Sequence, residues 1–297
     1  AIATTTAIAA EAVLLKIRQR PIKPYLMDMS AVVTAWLLAL ALPPLAPWWL
    51  IVVGTFFAIV IAKQLYGGLG YNPFNPAMVG YAVLLISFPL IMTKWPAPLL
   101  MTEHPLGFMD QLNFIFNHVL PNDIKVDAIT SATPLDYLKT QLMLNHEVSS
   151  ITEAPLFGQF GAKGGEIVTG AYLLGGLYLL QQRIISWHLP TAFLGALAAV
   201  SFAFYSINPA HFANPLFHLM SGASMLCAFF IVTDPVSGPT TPRGKIYFAA
   251  GVGVLTYLIR VYGGYPDGVA FSVLIMNMCV PLIDALTQPR VFGHKNN

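Results

Sequence analysis

The sequence predicts an all-α integral membrane protein: about ten transmembrane helices in two inverted-topology repeats, with helices broken at Pro and Gly and the N-terminal span or spans missing ahead of Ala1. Composition, the spacing of apolar stretches and a recurring order of helix breaks support this. Apolar residues make up 56% of the 297 and charged residues 9%, against roughly 25% charged in an ordinary soluble domain. Lys and Arg gather in short polar segments, and the runs between them hold almost none. That is the hydropathy pattern of a multi-span helical protein, and it excludes a water-soluble enzyme or a nucleic-acid-binding module. Ala1-Ile2-Ala3 has no initiator Met and no basic region ahead of an apolar run, so the opening is not expected to be a signal peptide. Residues 1–15 are expected to be the tail of a span whose beginning is missing.

The apolar stretches fall at 1–15, 30–45, 48–63, 77–92, 166–182, 189–207, 216–233, 246–261 and 269–286, nine in all. Several are shorter than the roughly 20 residues that cross a hydrocarbon core unaided, so they borrow flanking residues or are interrupted helices. The breaks repeat. From Ser30 the chain runs to Pro43, then to Tyr66-Gly67-Gly68, then to Pro89-Leu90-Ile91; from Ser221 it runs to Pro235, Tyr262-Gly263-Gly264 and Pro281-Leu282-Ile283. Five crossings separate Ser30 from Ser221, an odd number, so the copies are expected upside down to each other. Broken helices in such folds build a site where other groups satisfy the irregular backbone. The division expected is 1–92 as the first membrane repeat, truncated at its N-terminus, 93–165 as a polar loop and 166–297 as the second repeat.

Basic residues set the orientation. Lys16, Arg18, Arg20 and Lys23 read as cytoplasmic, and alternation puts Lys63, Arg183, Arg243, Lys245, Arg290 and Lys295 with them. Lys94, Lys125, Lys139, Lys163 and Arg260 fall opposite, so ten of the fifteen support this topology. The 93–165 loop is then extracytoplasmic, and it holds seven of the thirteen acidic residues. Loops of that length are usually functional.

Inside it stands Asp127-Ala128-Ile129-Thr130-Ser131-Ala132-Thr133-Pro134-Leu135. Thr133, Pro134 and Asp136 have the form of a helix start: a hydroxyl cap, proline at the first helical position and a carboxylate in the first turn. Leu135, Leu138 and Leu142 recur at helical spacing and would dock that helix on the membrane domain. A capped amphipathic helix is the plain reading. The same geometry would offer a phosphate on Thr133 free N–H groups and a positive dipole end.

Asp127-x-x-Thr130-Ser131-Ala132-Thr133 resembles the flavinylation signature Asp-x-x-Ser/Thr-Gly-Ala-Thr, in which a flavin transferase joins FMN through its phosphate to the last Thr; Ser131 replaces the usual Gly. Three further runs carry a resemblance over nearly the whole chain: Ala62-Lys63-Gln64-Leu65-Tyr66-Gly67-Gly68 through Asn75-Pro76-Ala77, Phe230-Ile231-Val232-Thr233-Asp234-Pro235-Val236, and Gly263-Gly264-Tyr265-Pro266-Asp267-Gly268-Val269-Ala270. They are similar to the NqrB/RnfD family, which unites the RnfD component of the Rnf ion-translocating electron-transport complex with the NqrB component of the sodium-pumping NADH:quinone reductase. The resemblance implies a urea-transporter-like fold in the bacterial inner membrane, with the flavin loop on the periplasmic side. It implies a subunit, not catalytic alone, that relays electrons between ferredoxin and NAD through covalent FMN on Thr133 while sodium ions or protons cross. The partners implied are a second FMN-carrying subunit, iron-sulfur subunits, the flavin transferase and membrane lipid. Some members also hold a noncovalent riboflavin among their spans. The alternatives are the NqrB component of the quinone reductase and a redox-free channel or solute transporter of similar fold.

Ionisable residues in or beside spans are costly and often functional. Glu11 and Lys63 share one side and read as an interhelical ion pair. Asp234, at the break of the second repeat, caps the following backbone or serves an ion path or second flavin site. Asp267 pairs with Arg260 or joins the same path, and Glu11 is its third candidate. Asp284 belongs to the same group, and Glu166 reads as a helix N-terminal carboxylate. His188, His211 and His218 have no metal-ligand spacing, Cys227 and Cys279 read as buried inert thiols, and no metal is assigned. Trp48 and Trp49 read as interfacial anchors.

Overall fold

The computed structural model describes residues 1–98, 101–102, 105–121 and 124–289. Arg290 and Lys295, two of the ten residues used for orientation, and Glu103 and Asp123 of the acidic loop lie outside the described residues.

Each of the nine apolar stretches is helical. Four helices, Ile22–Ala41, His188–Ile207, Pro242–Tyr262 and Val269–Thr287, are long and apolar enough to cross a membrane, which makes this a multi-pass membrane protein. Ile2–Ile17, Trp48–Gln64, Pro76–Ser87 and Gly165–Gln181 are shorter, and the seventh stretch is broken between Pro215–Met220 and Ser224–Ile231. The expected count of about ten spans therefore exceeds what helix length alone supplies.

Local chemistry explains where helices begin. Asn75, Thr133, Asn214 and Thr241 each accept a first-turn backbone N–H through the side chain, and each precedes a proline at the first helical position. A polar cap leaves fewer orphan donors, and proline there has no N–H to lose. Small residues decide how closely the helices cross. A methyl group on Gly80 would lie 2.6 Å from the Gly54 carbonyl oxygen, and one on Gly253 would lie 2.6 Å from that of Phe193. Backbone therefore meets backbone at both crossings, as expected where lipid gives no hydrophobic drive between helices. Two helices carry π-helical turns, Phe57–Gln64 and Cys227–Ile231, a distortion found mostly at functional sites.

The parts of the chain that begin at Ser30 and Ser221 interlock near Asn75. Its N–H donates to Asn277 Oδ1 at 3.1 Å, and Asn277 Nδ2 donates to the Ser237 carbonyl at 2.9 Å. Each part also closes on its own first serine. Lys63 Nζ donates to Ser30 Oγ at 2.7 Å, and Arg260 donates to the Ser221 carbonyl at 3.3 Å and to Ser224 Oγ at 2.9 Å.

Candidate functional site

The described residues of 93–165 form short helices and a small ribbon, in which Trp95–Pro96 pairs antiparallel with Thr130–Ser131. The ribbon holds the Asp127–Thr133 segment in place: Ala97 N–H donates to the Ile129 carbonyl at 3.0 Å, and Ile129 is buried. Asp127 is exposed in the turn Val126–Ile129, whereas Thr130, Ser131, Ala132 and Thr133 are half-buried. Thr130 Oγ donates back to the Val126 carbonyl at 3.1 Å.

Thr133 caps the helix Pro134–Met143 with φ −69° and ψ 154°, and its Oγ accepts Asp136 N–H at 3.3 Å. Leu135 and Leu138 are buried with Ile151, Ala213 and Phe217, and Leu142 packs beside them. The leucine spacing thus docks the helix as the sequence predicts. Lys139 adds a polar tie, since its ammonium donates to the Gly263 carbonyl and, at 3.1 Å, to that of Tyr265. Burial pushes this amine below the usual lysine range, against an opposing pull from the Asp136 carboxylate.

Thr133 stands at a cavity of about 370 Å³, within the range of small-molecule and cofactor sites. Ser131, Ala132, Pro134 and Asp136 line it on the loop side. Tyr81, Leu85 and Met92 come from one half of the chain, Val168, Tyr172 and Leu226 from the other, and Trp95 from the ribbon. The walls are mostly apolar and carry aromatic rings, which suits a flat heterocycle. A phosphodiester on Thr133 would meet the first-turn N–H groups of the Pro134–Met143 helix. Lys163 brings a cation to the same cavity, Asp136 a carboxylate, and Asp267 a carboxylate already paired with Arg260. The residues present therefore fit FMN.

Gly222 lets the loop helix pack close to the 215–231 segment. Its φ is +62°, a left-handed value that glycine adopts freely. A methyl group there would collide with Asp267 Oδ2 and lie 2.7 Å from Leu135 Cδ1.

The other candidates, Asp267 excepted, lie outside the Thr133 cavity. Lys63 Nζ meets Glu11 Oε1 at 2.7 Å with both side chains buried, and Gln64 Nε2 donates to the same oxygen at 2.6 Å. Glu11 Oε2 has no hydrogen-bond partner among the described residues. Asp234 caps its own turn, accepting Val236 N–H at 3.0 Å and Ser237 Oγ–H at 2.7 Å. Asp267 pairs with Arg260 at 3.1 Å and accepts the N–H groups of Ala223 and Val269. Only Asp267 of these three borders the cavity. Asp284 accepts Thr240 N–H at 3.0 Å. Glu166 accepts the N–H groups of Phe160 and Gly161, closing the loop onto its own helix. Cys227 is buried and Cys279 half-buried. Trp48 is exposed, and Trp49 is half-buried, packing edge-on against Phe88 at 5.1 Å.

Sequence reasoning missed the cavity walls, because Tyr81, Tyr172 and Trp95 are far apart in the chain and look like ordinary span residues. It also missed Gly222, whose setting between Ser221 and Ala223 in an apolar stretch was the available signal. Asn75 and Asn277, 202 residues apart, leave no local trace of their contact.

Fold and site together define a helical membrane protein with a threonine presented at the mouth of an interhelical cavity. The chain belongs to the NQR2, RnfD, RnfE family, whose model matches residues 1–293. It is 55% identical over 303 aligned residues to a protein of Aliivibrio salmonicida named as the D component of an ion-translocating oxidoreductase complex, covering 99% of this chain and 86% of that one. Proteins of the same name from Yersinia enterocolitica and Vibrio vulnificus are 54% and 53% identical, each with the same coverage.

Proposed function

We propose that this chain is the flavin-carrying membrane subunit of an Rnf-type, ion-translocating ferredoxin:NAD⁺ oxidoreductase, with FMN esterified through its phosphate to Thr133. It acts as one subunit of that complex and is not catalytic alone. The names of its relatives support the complex and favour it over the quinone reductase. The observation that carries the flavin is the placement of Thr133: last residue of a flavinylation signature, cap of a docked helix and rim of an apolar cavity. A redox-free transporter gives no reason for that coincidence.

When bound, the flavin supplies one- or two-electron acceptance. The chain's own residues do the placing. Thr133 tethers and takes no part in electron transfer. The Pro134–Met143 helix presents its N-terminus to the phosphate, and Leu135, Leu138 and Lys139 hold that helix against the membrane helices. Tyr81, Tyr172 and Trp95 wall the ring from lipid and water. Asp127, exposed one turn earlier, is open to the transferase that attaches the group. The loop is assigned to the periplasmic side of the bacterial inner membrane, and the partners are the other subunits of the complex, a second FMN-carrying subunit and iron-sulfur subunits among them. Asp234, Asp267 and Glu11 are candidates for the ion path or for a second, noncovalent flavin such as riboflavin.

The test is a denaturing gel of the chain purified from cells that possess the flavin transferase, viewed under ultraviolet light. A fluorescent band is expected, and Thr133→Ala should darken it completely. A dark wild-type band, or an intact mass without the flavin increment, would overturn the assignment.

A further inference from the structure

The Phe108–Asn117 helix of the loop has none of its ten residues buried. Its faces are nonetheless divided. At 3.6 residues per turn, Phe108, Met109, Leu112, Ile115 and Phe116 share one side, and Asp110, Asn113 and Asn117 the other, together with Phe114. Leu112 and Ile115 are half-buried, but the rest of the apolar side is open: Phe108 is 72% exposed, Met109 68% and Phe116 48%. A helix built this way in water would leave a costly apolar stripe uncovered.

Position identifies what covers it. Phe116 stacks on Trp48, with ring centroids 6.5 Å apart and planes 21° from parallel. Trp48 is itself 42% exposed and opens the apolar helix Trp48–Gln64. Tryptophan at the end of an apolar helix marks the headgroup level of a bilayer. Trp36, Leu40 and Phe56, on the membrane helices Ile22–Ala41 and Trp48–Gln64, are exposed as well. The helix is therefore tied, through Phe116, to the start of an apolar helix.

We infer that the Phe108–Asn117 helix lies in the membrane interface, its apolar side in the outer edge of the acyl chains and its Asp110, Asn113 and Asn117 side toward water. It anchors the 93–165 loop to the bilayer beside the Thr133 cavity. The helix has no Lys or Arg, so burial of apolar area drives its insertion without attraction to anionic headgroups.

The experiment places a spin label at Phe108→Cys or at Asn113→Cys, in a Cys227→Ala, Cys279→Ala chain reconstituted in nanodiscs. Collisions with oxygen and with a water-soluble nickel chelate are compared. The label at 108 should collide mainly with oxygen and the label at 113 mainly with nickel, with the same ordering in neutral and anionic lipid at low and high salt. Nickel access equal at both positions would overturn the proposal, because the helix would then stand in water. Ordering that appears only in anionic lipid would overturn its apolar basis. A second measurement leaves both native cysteines in place: a photoreactive azidophenylalanine at position 108, illuminated in native membranes. Lipid adducts support the interface position. Adducts to another protein, or none, would overturn it in favour of a partner subunit or of solvent.

Discussion

Lys63 and Glu11 meet at 2.7 Å with both side chains withdrawn from water, whereas Arg260 and Asp267 meet at 3.1 Å with the aspartate still partly exposed. The two pairs occupy comparable places in the chain, each with its basic residue shortly before a Tyr-Gly-Gly run. Their surroundings differ. Glu11 keeps one oxygen without a partner among the described residues, so that joint rests on Lys63 and Gln64. Arg260 also donates to the His218 and Ser221 carbonyls and to Ser224, and Asp267 accepts two backbone N–H groups. The first pair is an electrostatic liability in a dry setting. The second is a splint that holds a broken helix in shape beside the Thr133 cavity.

The largest expected effect comes from separating the first pair. Lys63→Met leaves the Glu11 carboxylate buried with a single amide donor and should cost about 3–5 kcal/mol, seen as a lowered unfolding temperature in detergent. Adding Glu11→Gln should restore most of it; if the double variant stays as unstable as the single, the charge is not the cause. Asp267→Asn should cost less, about 1–3 kcal/mol, because Arg260 keeps its other acceptors. Its effect should concentrate at the cavity, measured as faster proteolysis of the 93–165 loop, and uniform destabilisation would contradict the splint. Gly222→Ala should cost about 1–3 kcal/mol through its left-handed backbone and push Leu135 away, so that the Thr133 flavin band weakens without vanishing.

The smallest effect is a pH dependence. Burial lowers the Lys139 amine in the folded protein, so between that value and the ordinary lysine pKa of about 10.4 the unfolded chain binds more protons. The sign follows: the cost is fully present below the folded value, and stability rises as pH climbs through that value toward the unfolded one. The neutral amine still has donors for the Gly263 and Tyr265 carbonyls. A slight rise in unfolding temperature is expected in wild type and should disappear in Lys139→Met.

The start of the Pro134–Met143 helix was readable because capping is local: Thr133, Pro134 and Asp136 act within one turn. The same holds for the Leu135 and Leu138 face, whose period reports burial directly. The Glu11–Lys63 and Arg260–Asp267 pairs could be named from sequence because a charge in an apolar stretch needs a counter-charge nearby. The contact of Trp49 with Phe88 was not readable, because the two are far apart in the chain. The span count was least readable: apolarity makes nine helical stretches, yet among the described residues only four helices are long and apolar enough by themselves.

The chain's apolar blocks, its proline-capped helix starts and its Asp127–Thr133 signature were determined by residues acting on near neighbours, and composition alone committed it to a membrane. Only the folded structure could decide what surrounds Thr133. The cavity brings Tyr81, Tyr172, Trp95 and Gly222 together from segments with no local reason to meet. Side chains distant in sequence converge only through packing, and in lipid that packing depends on backbone contacts at single glycines, which hydropathy does not register.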